Sequence, residues 1–258
     1  MTIWNWLIYP LTVAEQQHHI DFSEHLLQTV QPGDPATLYW SMAKPSGIVL
    51  GFSQKPSIIN PVIRESNAFP IYHRRAGGTA VLVGSSLLSL DVVLPPDHPF
   101  IHTDLVEAYR WFGEVWLQTL LTLGVQSRTV TPEEAHAQRD LRRDPAHRDY
   151  EQLMNRACYG SLSPYEIAIG KRKVVGFDMI RRRTGSLLQA GVLLQWDTGM
   201  LAQLLGHTDE EQTLLQQGLQ DRAVGLDTIL GREIQSDEVI AAFEQILIPD
   251  QRHRLTMR

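Results

Sequence analysis

The chain has 258 residues, is 43% hydrophobic and 20% charged, and holds 18 Gly and 14 Pro, an ordinary globular composition long enough to bury a full core. A formal charge of −6 excludes a global basic field for nucleic acid or an anionic membrane, while leaving room for a local basic groove. A single cysteine excludes an intrachain disulfide and a cysteine-built metal site, and fits a reducing compartment. The opening Met1-Thr2-Ile3-Trp4-Asn5-Trp6 lacks the basic start and long apolar core of a leader peptide, and no apolar run reaches membrane-span length. A soluble, cytoplasmic protein is expected.

Thr12-x-x-Glu15 reads as a capping box that opens a helix of about 17 residues, with Ile20, Leu26, Leu27 and Val30 on its apolar face. Gln31-Pro32-Gly33-Asp34-Pro35 breaks it. Thr37 to Met42 and Gly47 to Phe52 read as short strands joined by Lys44-Pro45-Ser46, and Phe69 to Arg75 leads into Gly77-Gly78. Thr79 to Val83 and Ser86 to Leu94 read as a strand pair around Gly84-Ser85. Asp104 and Glu107 begin the strongest helix, which carries Leu105, Ala108, Phe112, Val115, Trp116 and Leu120 and stops at Gly124. Val125 to Val130 reads as a strand. Residues 131 to 156, polar and mixed in sign, read as a long surface loop with some helix, a length expected to be functional or disordered. Tyr165 to Ile169, Lys173 to Arg182 and Ser186 to Leu194 then form three strands, joined at Gly170-Lys171 and Thr184-Gly185. The end is helical over 198–205, 209–219 and 236–246, with Ser236 and Glu238 near the last start. Without a repeat or linker, this order predicts an α+β fold as one domain over residues 1–258.

Several features carry candidate chemistry. In Arg74-Arg75-Ala76-Gly77-Gly78-Thr79 the paired glycines let backbone approach a ligand and form an anion nest, although a tight turn with solvated arginines is the simpler local reading. Lys173, at the start of an apolar strand, can present an ammonium into a pocket and polarise a carbonyl; a solvated hairpin tip is simpler. Cys158 follows a polar stretch and precedes Tyr159-Gly160-Ser161, a setting that raises the nucleophile reading, although a buried apolar cysteine is the simpler local reading. Arg181-Arg182-Arg183 can meet an acidic partner or simply be solvated. Glu133-Glu134 is expected to be solvated, the ten histidines lack metal spacing, and neither a Walker A nor a GxGxxG motif is present.

In chain order, these features resemble the lipoate–protein ligase A, octanoyltransferase and biotin–protein ligase superfamily over nearly the whole chain. Ala14 to Leu27 resembles the family's first helix, and Thr37-Leu38-Tyr39-Trp40 with Ile48 to Gln54 its next strands. His73 to Val81 resembles the acyl-site "RR.sGGgaV" turn, and Gly170 to Gly176 the lysine hairpin. Leu226 to Arg232 and the following helix are similar to the octanoyltransferase C-terminal segment. Where the ATP-dependent ligases carry Asn-Asp before that hairpin, Tyr165-Glu166 stands here, and Cys158 lies upstream, similar to the cysteine-dependent octanoyltransferases.

This resemblance implies a mixed β-sheet with packed helices plus a smaller sheet, as in biotin and lipoate ligase catalytic domains. It implies transfer of an octanoyl group from acyl carrier protein, through a Cys158 thioester, to a lysine of a lipoyl domain such as that of the glycine-cleavage H protein. Cys158 and Lys173 would be catalytic, and Arg74, Arg75, Gly77, Gly78, Thr79, Gly176 and Gln189 would bind substrate, with no metal or cofactor. Thioester exchange is nearly isoenergetic, so no ATP is required. A basic rim of Arg172 and Arg181 to Arg183 would dock the acidic partners; neither nucleic acid nor membrane is expected. The family pattern is broken at Thr79 (a third glycine), Val83-Gly84 (His-Asp), Phe177-Asp178 (small residues) and Ala190 (histidine). Asp178 needs a partner if buried. Transfer between two lipoyl domains, an ATP-dependent lipoate ligase, and a binding protein whose pocket has drifted are the alternatives.

Overall fold

The computed structural model describes residues 5–67 and 69–256. Residues 1–4, on which the leader-peptide reading partly rests, lie outside the described residues. The elements run β1 (Trp6–Ala14), α1 (Gln16–Thr29), β2 (Ala36–Ala43), β3 (Gly47–Leu50), α2 (Pro61–Ser66), β4 (Ile71–His73), β5 (Val81–Val83) and β6 (Leu87–Leu94). They continue with α3 (Arg110–Thr122), β7 (Arg128–Thr129), α4 (Pro132–Leu141), α5 (Arg148–Met154), β8 (Ile167–Ile169), β9 (Arg172–Arg182) and β10 (Gly185–Leu193). The chain ends in α6 (Thr198–Leu205), α7 (Asp209–Arg222), α8 (Leu226–Leu230), α9 (Ser236–Leu247) and β11 (Arg254–Thr256). Among the described residues there are two sheets, ordered β11-β1-β2-β6-β10-β9-β8-β7 and β4-β3-β5. The large sheet is mixed: β1 pairs in parallel with β2 and β11, and the central strands are antiparallel. This is the predicted α+β architecture.

Strand alternation sorts the central sheet into two faces. Leu88, Leu90, Val92 and Leu94 of β6 face the main core, where Trp40, Phe112, Trp116 and Phe243 join β2 to α3 and α9. Each of these rings is fully buried, at about 3–5 kcal/mol for truncation to alanine. The indole Nε1 of Trp40 donates to Glu244 at 3.0 Å, so α9 is fixed in register as well as packed. The opposite face of β6 and β10 lies under α1, where Leu27 and Val30 meet Val93 and Leu187.

The structure corrects several local expectations. Thr12 lies inside β1 and caps nothing; α1 starts at Gln16 with Glu15 at its N-cap, and has 14 residues. Residues 79–94 are not a hairpin. β5 pairs with β3 in the small sheet and β6 joins the large one, so the chain changes sheets at Gly84-Ser85, as it does between β2 and β3. Of Val125 to Val130, only Arg128–Thr129 is strand, and Leu105 is exposed. Residues 131–156 are mostly two helices. Thr131 caps α4 by accepting from Glu134 N, Pro132 occupies the first turn, and Glu134 pairs with Arg128 at 2.6 Å rather than standing solvated. No helix among the described residues is long and apolar enough to cross a membrane.

Candidate active site

Two rows of residues across the large sheet form the floor of a cavity beneath α1. The first is polar: Tyr39, Asp91, Gln189 and Asp178 are register partners on β2, β6, β10 and β9. The second is small: Ser41, Ser89, Gly191 and Gly176 occupy the next same-face positions on the same strands. Small side chains there leave the hollow, a cavity of about 90 Å³. Its roof is Ile20 and His19 of α1 with Val49, Val81 and Val83 of the small sheet. The polar row is bound down. Gln189 Nε2 donates to Asp91 Oδ1 at 2.8 Å, Ser23 of α1 donates to the other oxygen, and His19 meets the Tyr39 hydroxyl at 2.7 Å. Burial pushes the Asp91 carboxyl up to about 6 and the His19 imidazole down.

The Arg-Arg-x-Gly-Gly turn closes one end. Arg74 is 8% exposed, contrary to the solvated reading. Its guanidinium donates to the carbonyls of Gly77 (3.2 Å) and Thr79 (3.1 Å) and pairs with Asp178 at 3.0 Å. It thus folds the turn and reaches β9 with one planar group. The turn hands the chain to Ala80, which forms an isolated parallel bridge with Ala157: Ala80 N donates to Arg156 O at 3.1 Å, and Cys158 N to Ala80 O at 2.8 Å. Gln54 braces the same segment, its Nε2 donating to Arg156 O and its Oε1 accepting from Gly51 N, both at 3.2 Å. Gly51 is required because a Cβ there would lie 2.1 Å from Gly78 O. The bidentate pair Arg156–Glu211 anchors the Cys158 segment to α7, and Arg222 of α7, paired bidentately with Glu151 of α5, donates to Gly160 O at 2.7 Å.

Lys173 is buried beside Cys158, 1% exposed, not a solvated hairpin tip. Its ammonium donates to the carbonyls of Cys158 (2.6 Å) and Ser161 (2.7 Å) and to both oxygens of Glu166 (3.1 Å). It also lies 5.0 Å from the Tyr159 ring centre, and the Tyr159 hydroxyl is tied to Gly191 O at 2.6 Å. Glu166 further accepts from Ser163 N (2.7 Å) and Phe177 N (3.0 Å), so the buried ion pair is fully hydrogen-bonded. Burial raises the Glu166 carboxyl, and the Lys173 charge pulls it back.

A second, polar cavity of about 200 Å³ lies on the far side, lined by Lys173, Glu166, Gly78, Thr79 and, from α4, Arg139 and Arg142. The two cavities share Arg74, Cys158, Phe177 and Asp178. Cys158 therefore sits in the wall between an under-helix hollow with a mixed apolar and polar lining and a charged approach. Burial pushes its thiol up, Lys173 and Arg74 pull it down, and Glu166 and Asp178 oppose them.

The structure thus gathers Cys158, Lys173, Arg74, Gly78, Thr79, Gly176 and Gln189 at these cavities. Arg75 and Gly77 line neither. The Arg75 side chain turns outward to Glu24 at 2.7 Å, and Gly77 contributes its carbonyl to Arg74. Asp91, Glu166, Tyr159 and Gln54 were not assigned from sequence. Glu166 carried a signal in its place before the lysine hairpin, and Gln54 in the family-like segment Ile48 to Gln54.

Comparison with known proteins supplies relatives. The chain is 27% identical over 246 residues to octanoyltransferase LipM of Exiguobacterium sp., covering 94% of this chain and 84% of the relative. It is 26% identical over 231 residues to octanoyltransferase LipM of Bacillus subtilis, covering 82% and 78%. Its fold is similar to the bipartite lipoate protein ligase of Thermoplasma acidophilum, with a TM-score of 0.75 at 17% identity over 100% of this chain and 88% of the other. It is also similar to an ATP-bound lipoate-protein ligase A, with a TM-score of 0.70 at 17% identity over 99% and 90%. The family model of the lipoyl protein ligase A/B catalytic domain matches residues 15–248, and the chain belongs to that family.

Proposed function

We propose that this chain is a cysteine-dependent octanoyltransferase of protein lipoylation. It would take the acyl group from acyl carrier protein onto Cys158 and pass it to a lysine of a lipoyl domain, such as that of the glycine-cleavage H protein. The observation that carries the reading is Cys158 in the wall shared by the two cavities, with the Lys173 ammonium on its own carbonyl. Full-length similarity to octanoyltransferases supports it.

The chemistry follows from the geometry. The acyl chain enters the hollow under α1, and the thioester carbonyl lies at Cys158. Lys173 holds all its N–H groups on Cys158 O, Ser161 O and Glu166. One of them turns to the acyl oxygen as negative charge develops there, while Glu166 keeps the ammonium in place. The sulfur replaces one thioester with another, so no nucleotide is consumed. The acceptor amine then attacks from the charged side, and Arg172 and Arg181 to Arg183, at opposite ends of β9, would draw the acidic carrier and lipoyl domain by charge.

Intact-protein mass spectrometry after mixing with octanoyl–acyl carrier protein tests this. Wild type gains one octanoyl group that hydroxylamine removes, Cys158→Ser gains none, and adding a lipoyl domain discharges the adduct onto it without ATP. A folded wild-type chain that takes no octanoyl from a competent carrier refutes the reading, as does transfer that requires ATP.

A further inference from the structure

We infer that Asp178 is the proton acceptor for Cys158, taking the thiol proton through its Oδ1 oxygen as the sulfur attacks the acyl donor. This rests on the reading that Cys158 is the acylated nucleophile. The two oxygens of Asp178 have different fates. Oδ2 is held by Arg74 Nε at 3.0 Å, which fixes the carboxylate; Oδ1 is buried and has no hydrogen-bond partner among the described residues. A buried carboxylate oxygen without a donor is costly unless a passing proton uses it. Asp178 also lies in the wall common to both cavities, as does Cys158.

Other groups at the site are already committed. Arg74, in the same wall, offers only N–H donors and can accept nothing. Glu166 receives two backbone N–H groups and the Lys173 ammonium. Asp91 receives Ser23 and Gln189. His19 spends one ring nitrogen on the Tyr39 hydroxyl and the other on Met42 O. Asp178 alone of these brings an unoccupied acceptor to the wall that holds the sulfur.

The charged neighbours suit the role. Asp178 faces Arg74 from the glycine turn and Cys158 from its segment, with the Asp91 carboxylate on β6 and the partly buried Tyr109 within electrostatic reach. Burial raises the Asp178 carboxyl and Arg74 limits the rise. In the step, the Cys158 S–H bond breaks, its proton goes to Asp178 Oδ1, and the sulfur bonds the thioester carbonyl carbon. The tetrahedral intermediate collapses with cleavage of the donor C–S bond, and the departing thiolate takes the proton back from Asp178. Nothing is oxidised or reduced.

The test uses the full chain and two probes of Cys158. Acylation is read as the burst of nitrophenolate from p-nitrophenyl octanoate, with Cys158→Ser as the blank; alkylation by iodoacetamide is read by mass. Asp178→Asn is expected to slow the burst about 100-fold at pH 7. The same variant is expected to alkylate faster, because one of the two carboxylates that oppose Arg74 and Lys173 at the thiol is then gone. Asp178→Glu restores part of the burst. Opposite signs separate proton acceptance from a structural role, which would move both probes together. An unchanged burst in Asp178→Asn, a joint fall of both probes, or no burst in wild type overturns the assignment. A chain that shows the split with the nitrophenyl ester but takes no octanoyl from acyl carrier protein keeps Asp178 as acceptor and discards the proposed donor.

Discussion

Lys173→Met separates what the buried ammonium does for the fold from what it does for chemistry. The substitution keeps the length of the side chain and removes its charge. Glu166, 1% exposed, then retains only the N–H groups of Ser163 and Phe177. Breaking one side of a buried pair costs about 3–5 kcal/mol, because the surviving charge is left in a poor dielectric. With a urea dependence near 3 kcal/mol per molar, the midpoint of unfolding should fall by roughly 1–1.7 M. The deficit should also depend on pH. Without Lys173 only the N–H groups of Ser163 and Phe177 offset the burial that raises Glu166, so the folded state binds a proton more tightly than the unfolded one. Stability then falls as pH rises above the ordinary carboxylate range, and the variant is weaker at pH 8 than at pH 5 relative to wild type.

Adding Glu166→Gln to Lys173→Met removes the stranded charge and should recover at least half of the lost stability. The double variant should remain folded and still fail to form the octanoyl thioester, which isolates the catalytic loss. Urea unfolding followed by near-ultraviolet circular dichroism at both pH values is sufficient. A single variant with the wild-type midpoint, or a double variant no more stable than the single, would refute this account of the pair.

Asp91 is pushed from 3.8 up to about 6 by burial, a difference of about two units or 3 kcal/mol. The folded state holds the extra proton, so wild-type stability should fall as pH rises from 4 to 6; Asp91→Asn should flatten that window and raise the melting temperature at pH 7. Gln54→Ala should cost about 1 kcal/mol, since its bonds to Gly51 and Arg156 are partly buried, and should slow Cys158 acylation about tenfold with KM unchanged. Replacing Arg181, Arg182 and Arg183 together by Glu should lower kcat/KM for an acidic protein acceptor at low salt and leave nitrophenyl ester acylation intact; equal loss with both would refute a docking role.

Elements with local signals were legible from the chain. β8, β9 and β10 declare themselves by apolar runs with Gly170-Lys171 and Thr184-Gly185 between them, and Gly170 does adopt φ 61° in its turn. β1 was hidden because its partners, β2 and β11, are parallel and distant, and because Thr12 and Glu15 mimic a cap. α4 carried its start signals in Thr131, Pro132 and Glu134, but Ala135 is its only buried residue, too little for an apolar period. α5 is held partly by Glu151 on Arg222, far along the chain, which no local pattern announces. The exchange between sheets at Gly84-Ser85 was unreadable for a similar reason: a short turn suits a hairpin and a change of sheet alike.

The site shows the same limit from the side of chemistry. Lys173 looked like a solvated hairpin tip because its partner, Glu166, is separated from it by the turn that exposes Lys171. Arg74 and Arg75 were indistinguishable in sequence, yet one folds the turn and reaches Asp178 while the other meets Glu24 at the surface. The departures from the family pattern are where sequence alone misleads most. In sequence, Val83, Phe177-Asp178 and Ala190 are only breaks in the family pattern, with Asp178 a carboxylate that needs a partner if buried. In the fold, Phe177 packs on Phe112 at 4.9 Å and belongs to the core as well as to the cavity wall. Asp178 stands on the same sheet face as Gln189 and Asp91, one oxygen fixed by Arg74 and the other open. A carboxylate is expensive to bury, and Arg74 alone leaves half of it unsatisfied. The loss of a histidine and the gain of this carboxylate are therefore read better together than apart: on the proposed reading Asp178 takes the proton, at a different strand position from the one the family pattern marks.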